Sequence, residues 1–443
     1  MRFSPQCVAE LDGSFRILKA PGHSGPPAQR DPAVIETVTE MLRSIEKGGM
    51  DAVLRYAEQL DHWSSPDVEL DAATIEHSGD QLDPVLRSAL ELGSERTRKF
   101  ATESRNRLSD FEIELAPGVV AGHRYIPVSR VGAYLPAGRF PILASAFMTV
   151  GVAKAAGVPT VLACTPPQPD GAPNPAVLYS AYLSGADRIY VLGGVQALAA
   201  MAFGLLGDRP IDMLVGAGNA YVAEAKRQLF GKVSIDLLAG PSEVAIIADE
   251  TADPAIVAAD MLGQAEHGPE SPAALITTSE SFGTAVIAEV ERQLQTLATR
   301  EIAEPAWRNY GSVTWAADRR TAAELMDDLA PEHLEIVTAH DDEYYFDVLR
   351  NYGSIFVGPW STVAYSDKGM AGTNHVLPTA GGARHSAGLS VSRFLKLLTF
   401  QRIDRAATPL VANAVDVISA YEGMEGHRAT ATLRLSSYPD RSD

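Results

Sequence analysis

Cysteine is nearly absent from this 443-residue chain, which has only Cys7 and Cys164, far apart in sequence. That excludes a disulfide framework, a cysteine-based zinc finger and an iron–sulfur cluster. Positive charge is also short: 37 Lys and Arg stand against 56 Asp and Glu, a formal net charge of −19. Such an acidic surplus repels a phosphate backbone and no local basic patch offsets it, so a nucleic-acid partner is not expected. Long apolar runs are missing as well. The longest uncharged stretches near the centre, 140–153 and 155–169, are separated by Lys154 and interrupted by Pro141 and Pro159. Neither reaches the roughly 18–20 apolar residues that cross a bilayer. The first residues lack an apolar core of signal-peptide length, so the expectation is a soluble cytoplasmic protein with no membrane partner.

What is present is ample core-forming material. With 46% hydrophobic residues and roughly 100–200 residues per domain, the chain holds several independently cored units. Residues 1–30 carry Pro21-Gly22 and Gly25-Pro26-Pro27 and read as an extended N-terminal arm. Asp31-Pro32 reads as an N-cap with proline at the first helical position, and Val34, Ile35, Val38, Met41, Leu42 and Ile45 recur at helical spacing. Gly48-Gly49 is expected to stop that helix. Further helices are expected over 51–60 and from Asp83-Pro84 towards Phe100.

From Val131 the texture changes to short β-rich runs alternating with helices. Strands are expected at 131–135, 160–164, 188–191 and 213–215, with helices near 142–156, 175–184, 196–203 and 220–230. Strands follow at 244–248, 274–277, 313–315, 334–337 and 355–357. Such alternation implies parallel sheets with helices on both faces. The expected fold is α/β: two Rossmann-like parallel-sheet units with a helical N-terminal segment and a mostly helical C-terminal tail. The division is 31–130 plus 241–380 for the first unit, 131–240 for the second and 381–443 for the tail. That tail is short for a free-standing domain.

In open α/β sheets ligands bind beyond the carboxyl ends of the strands, which directs attention to the residues after each strand. Leu135-Pro136-Ala137-Gly138, Gly193-Gly194-Val195-Gln196 and Gly216-Ala217-Gly218-Asn219 are glycine-bearing turns of that kind. None matches a dinucleotide or P-loop consensus, and plain strand-to-helix turns are the alternative. Gln264 and His267 stand three apart at the end of an expected helix, on one face. Histidine is a common zinc ligand and an amide oxygen a weaker donor, although a histidine there also suits a helix C-terminus. Glu332-His333 sets a carboxylate beside an imidazole, a pair able to divide general-base work; an exposed loop pair is the alternative. The polar run from Tyr365 to Thr379 suits a binding loop. Glu422 and His427 place another carboxylate and imidazole in the tail, whereas His62, His77 and His340 lie in charged, surface-like surroundings.

Taken in order, several segments resemble the histidinol dehydrogenase family. They are Val131-Gly132-Ala133-Tyr134-Leu135-Pro136, Gly193-Gly194-Val195-Gln196, Gly218-Asn219 through Lys226, Ala239-Gly240-Pro241-Ser242-Glu243, Gln264-Ala265-Glu266-His267-Gly268-Pro269, Ala330-Pro331-Glu332-His333-Leu334-Glu335, Gly372-Thr373-Asn374-His375 through Thr379, and Glu422 to His427. The resemblance covers nearly the whole chain beyond residue 30. It implies a zinc- and NAD-dependent homodimeric enzyme that oxidises a primary alcohol to a carboxylate through a bound aldehyde. By the same resemblance Gln264, His267, Asp367 and His427 are zinc ligands. Glu332 activates water and His333 takes the alcohol proton. Tyr134, Gln196 and Asn219 line the NAD site, and Ser242, His375 and Glu422 contact substrate alongside His333 and the metal ligands. The tail, with Glu422 and His427, is expected to complete the partner's site.

Asp367 lies one residue farther from Gly372-Thr373-Asn374-His375 than the family's spacing implies, and a strict count puts Lys368 on the metal. A protonated ammonium cannot ligate zinc, so a one-residue insertion with Asp367 retained is the expected register. The stretch from Gly138 to Met148 is more similar to paralogues such as the sulfopropanediol dehydrogenases, and Lys368 or Arg139 near the pocket would favour an anionic substrate. Three readings result: L-histidinol to L-histidine, as in histidine biosynthesis, is the leading one. A sulfonated propanediol or similar alcohol is the second, and a non-catalytic metal-binding descendant the third. Cys164, the sole placed candidate for a thiohemiacetal route, reads instead as a small core residue.

Overall fold

The structure is a computed structural model, described over residues 3–11, 13–23, 31–138, 140–169 and 171–436. Arg139 and the glycine- and proline-bearing 24–30 fall outside those residues. The chain divides into two compact units, one made of 1–105 and 128–394, the other of 106–127 and 395–443.

The first unit contains two parallel sheets. In lateral order the five-stranded sheet runs Arg188–Val191, Thr160–Thr165, Arg130–Tyr134, Met213–Val215 and Ser234–Ile235, every pairing parallel. Thus the first strand in the chain lies centrally, with the second and third on one side and the fourth and fifth on the other. The six-stranded sheet repeats that order with Ser312–Ala316, Ala273–Thr277, Val244–Ala248, His333–Val337 and Ser354–Val357, all parallel. Its remaining member, Phe15–Lys19, adds antiparallel to the outer edge of Ser312–Ala316. The central strands are buried on both faces and read as unbroken apolar runs, Val244–Ala248 being buried at every position, as helices covering both faces of a sheet require.

The N-terminal helices follow their expectation. Asp31 accepts from the Ala33 N–H at 2.8 Å and Pro32 stands in the first turn, as read. Gly48-Gly49 ends the first helical stretch as expected: Gly49, at φ 60° and ψ −144°, is not helical, and a second helix follows it to Asp61. The two helices together span Pro32–Asp61 and meet in a kink at Gly49, whose φ of 60° only glycine adopts cheaply. Val38, Ile45, Val53 and Ala57 on both arms reach the core beside the five-stranded sheet, so burial on either side of the kink outweighs the glycine cost. The expected extended arm contains a short helix, Pro5–Glu10, and the strand Phe15–Lys19.

The second unit holds a three-stranded antiparallel sheet in the order Leu395–Ile403, Val119–Pro127, Phe111–Ala116, followed by helices Thr408–Glu422 and Glu425–Ser436. Residues 106–127, read as part of the first α/β unit, group with the tail, and the tail contains a nine-residue strand that the sequence reading did not anticipate. Among the described residues no helix is long and apolar enough to cross a membrane.

Candidate functional site

The amino edge of the six-stranded sheet gathers most of the chemistry-bearing residues. Parallel pairing sets His333, the first residue of its strand, beside Val244, the first residue of its own. The residues just before each strand therefore meet: Ser242 and Glu243 on one side, Glu332 on the other. Ser242 Oγ donates to Glu332 Oε2 at 2.6 Å, and the Glu243 N–H donates to the same oxygen at 2.9 Å. The helix Pro254–Ala265 returns from the carboxyl edge of the sheet and delivers Gln264 to this side, where Gln264 Nε2 donates to Ser242 Oγ at 2.5 Å. Helix Val363–Asp367 ends on Asp367. Its Oδ2 lies 3.5 Å from His267 Nε2, and its Oδ1 lies 4.0 Å from His333 Nε2. His375 Nδ1 sits 3.3 Å from the Asp367 carbonyl oxygen.

The His333 ring has a fixed tautomer. Its Nδ1 lies 3.0 Å from the Glu243 carbonyl oxygen, a group that only accepts, so Nδ1 carries the proton and donates it. That leaves Nε2 with a lone pair, buried and without a hydrogen-bond partner among the described residues. Burial pushes the imidazole down to about 4, so it is neutral near pH 7. Burial pushes Glu332 well above the usual carboxylate range, against the opposing pull of the Ser242 and Glu243 donors. It likewise raises Glu243 to about 7. Asp367 behaves otherwise: burial alone would raise it, but the His267 hydrogen bond and the neighbouring His375 and His333 rings outweigh burial and hold it below its ordinary value.

Lys368 is exposed, while Asp367 is 8% exposed and its carboxylate oxygens lie near the His267 and His333 rings. Among the described residues no three His, Cys, Asp or Glu side chains converge closely enough to hold a metal ion. Glu422, the last residue of its helix, and His427, near the start of the next, belong to the second unit and are exposed there.

The three residues expected to line a dinucleotide site lie at the opposite kind of edge, the carboxyl ends of the five-stranded sheet. Tyr134 ends its strand, and its hydroxyl accepts from the Gly194 N–H at 3.3 Å. Gln196, in the helix after Arg188–Val191, donates from Nε2 to Asp61 Oδ2 at 2.8 Å, and its buried Oε1 has no partner among the described residues. Asn219 caps helix Ala220–Leu229, its side-chain oxygen accepting from Tyr221 and Val222 N–H at 3.1 Å each. Tyr134 and Asn219 thus follow two adjacent strands whose chain connections run in opposite directions across the sheet. Cys164 is fully buried, and burial keeps its thiol protonated.

Four participants escaped the sequence reading. Glu243 was visible only as the neighbour of Ser242, yet its backbone fixes His333 and Glu332. Asp61 holds the Gly193 turn from a helix 132 residues away, accepting from the Gly193 N–H at 3.0 Å. Lys226 and Asp236 form a buried ion pair that grips one glycine: Lys226 Nζ donates to the Gly216 carbonyl and the Gly216 N–H donates to Asp236, both at 2.8 Å.

Comparison with known proteins bears on this arrangement. The family model for histidinol dehydrogenase matches residues 26–435. A protein named histidinol dehydrogenase homolog from Shouchella clausii is 46% identical over 405 residues, 91% of this chain and 95% of that one. Sulfopropanediol 3-dehydrogenase from Ruegeria pomeroyi is 44% identical over 412 residues, 92% of this chain and 94% of its own. The crystal structure of histidinol dehydrogenase from Elizabethkingia anophelis superimposes with a TM-score of 0.87 at 32% identity, covering 93% of this chain and 94% of that one. The chain belongs to the histidinol dehydrogenase family and is an oxidoreductase acting on alcohol groups.

Proposed function

We propose that the protein oxidises a small primary alcohol to a carboxylate in two steps through a bound aldehyde, with NAD and zinc as cofactors. One observation carries this reading: the buried His333 ring, locked by the Glu243 carbonyl with Nε2 free, stands between the Glu332 carboxyl and Asp367. The donor set fits zinc. The 3.5 Å between His267 Nε2 and Asp367 Oδ2 is close to the edge of a tetrahedron with bonds of roughly 2.0–2.1 Å. Gln264, whose amide nitrogen is committed to Ser242, keeps its oxygen as a further donor, and His427 of a tail would supply the fourth. The unpartnered Gln196 oxygen and the turns that hold Tyr134 and Asn219 support a dinucleotide at the carboxyl edge of the other sheet. Both sheets, on their shared strand order, are read as Rossmann-like.

When bound, zinc polarises the alcohol oxygen and NAD accepts hydride. The chain's own groups manage protons and position. His333 Nε2, neutral at working pH, takes the proton from the alcohol. Glu332 activates the water that hydrates the aldehyde; a carboxyl raised by burial is a stronger base once its proton has left. Ser242 orients Glu332, and Ser242, His375 and Glu422 bind the substrate.

We read the assembly as a homodimer. The second unit leaves Phe111, Leu115, Leu410, Val417 and Tyr421 exposed, apolar side chains that a partner subunit would cover. For the substrate, L-histidinol is the leading reading, and the 44% identity to a sulfopropanediol 3-dehydrogenase favours a sulfonated propanediol as the second. Zinc-loaded protein is assayed for NADH formation with histidinol and with sulfonated and carboxylated diols. A preference of about a thousandfold, roughly 4 kcal/mol in transition-state binding, assigns the substrate. Bound zinc with no NADH from any alcohol would overturn the catalytic reading.

A further inference from the structure

We propose that Glu335 and Asp260 form a hydrogen-bonded carboxyl pair that acts as a positioning clamp, tying together the three elements that present His333, Gln264 and Asp367. This rests on the reading of Gln264 and Asp367 as metal ligands. Glu335 is two residues beyond His333 on the same strand, so both side chains leave the same face of the sheet. It is fully buried. Its Oε1 accepts from the Val363 N–H at 2.9 Å, which fastens the first turn of the helix ending on Asp367. Asp260 lies one helical turn before Gln264, on the same face of its helix, and Asp260 Oδ1 accepts from Thr362 Oγ1 at 2.9 Å. The strand, the longer helix and the shorter helix therefore converge on these two carboxyl groups.

The join between the carboxyls fixes their chemistry. Glu335 Oε2 is buried and without a hydrogen-bond partner among the described residues, and the Asp260 carboxyl group is its neighbour, close enough for each to influence the other's ionisation. With Glu335 fully buried and Asp260 half-buried beside it, double ionisation is disfavoured, and among the described residues no cation is paired with either. Glu335 is the acid: burial first, then the Asp260 charge, raises it to about 8. Protonated, it donates from Oε2 to Asp260 while still accepting at Oε1, which satisfies both oxygens. Loss of the link frees the Val363 turn and the Asp260 turn to shift separately, and outer-shell partners of metal ligands typically matter about 10–100-fold in affinity.

Glu335→Gln preserves the pattern, since an amide donates to Asp260 and accepts from Val363, whereas Glu335→Ala removes it. Full-length variants are stripped with chelator, followed by amide hydrogen exchange over 362–368, and then titrated with zinc against a competing chromophoric chelator. The expected result is faster exchange in metal-free Glu335→Ala and zinc affinity about 10–100-fold weaker, with Glu335→Gln near the parent in both. Asp260→Ala, which alters a half-buried helix position, repeats the test if Glu335→Ala does not fold. The clamp is overturned if both truncations match the parent in exchange and affinity, or if Glu335→Gln is as damaged as Glu335→Ala. A parent chain that binds no zinc overturns the ligand reading instead, and exchange alone then decides the clamp.

Discussion

Two sheets in this chain share one strand order and carry their candidate site residues at opposite edges. The five-stranded sheet places Tyr134, Gln196 and Asn219 at its carboxyl ends, where open α/β sheets ordinarily bind ligands. The six-stranded sheet gathers Ser242, Glu332, His333 and Gln264 at its amino ends. Strand order therefore does not dictate which edge is used. At the amino edge, the candidate catalytic side chains come from residues entering strands and from the ends of returning helices, so buried backbone such as the Glu243 carbonyl can orient them. At the carboxyl edge the groups are turns and a helix cap, suited to an extended anionic ligand rather than to proton transfer.

That contrast is broken if chemistry and dinucleotide binding respond to the same substitutions. The largest expected effect is on His333→Ala, with kcat about 10²–10⁴-fold lower, as for loss of a general base, and dinucleotide affinity by calorimetry unchanged. Next is Asp367→Asn, expected to lower zinc content by about tenfold or more, whereas Lys368→Ala leaves it intact. If Lys368→Ala is the one that empties the site by metal analysis, the register is wrong. Asn219→Ala should reverse the pattern: loss of the cap costs about 1 kcal/mol, and the KM for NAD rises several-fold while kcat and zinc content hold. Smallest is Cys164→Ala, which should leave aldehyde-to-acid turnover unchanged in a stopped-flow assay. Loss of that second step in a folded protein would restore a thiohemiacetal route.

Much of the fold was readable because both parallel sheets are buried on two faces. Nine strands were located to within a residue of their bounds, since runs such as Val244–Ala248 have no polar position to confuse with a turn. The three-stranded sheet was missed although Phe111-Glu112-Ile113-Glu114-Leu115 alternates with period two; its apolar positions are exposed, and the surrounding helical context masked the signal. The edge strand Phe15–Lys19 was lost among glycines and prolines. At the site, side chains with distinctive chemistry could be picked out, but the amino edge could not. Which edge a helix returns to depends on its length and packing. Glu335 was legible as a letter in the motif and not as an acid, because its protonation follows from burial beside Asp260, which lies 75 positions away in the sequence.

The antiparallel strand Phe15–Lys19 carries one further consequence. It occupies the outer flank of Ser312–Ala316, and Lys19 Nζ secures it by donating to the Trp307 and Gly311 carbonyls at 2.9 and 2.7 Å. Removing the first twenty residues would touch neither candidate site. It would bare a row of unpaired peptide groups on an apolar strand, a ready template for pairing with another molecule. An N-terminally trimmed protein would thus remain catalytically competent per folded molecule yet clump in storage, so that its shelf life rather than its turnover would report the loss.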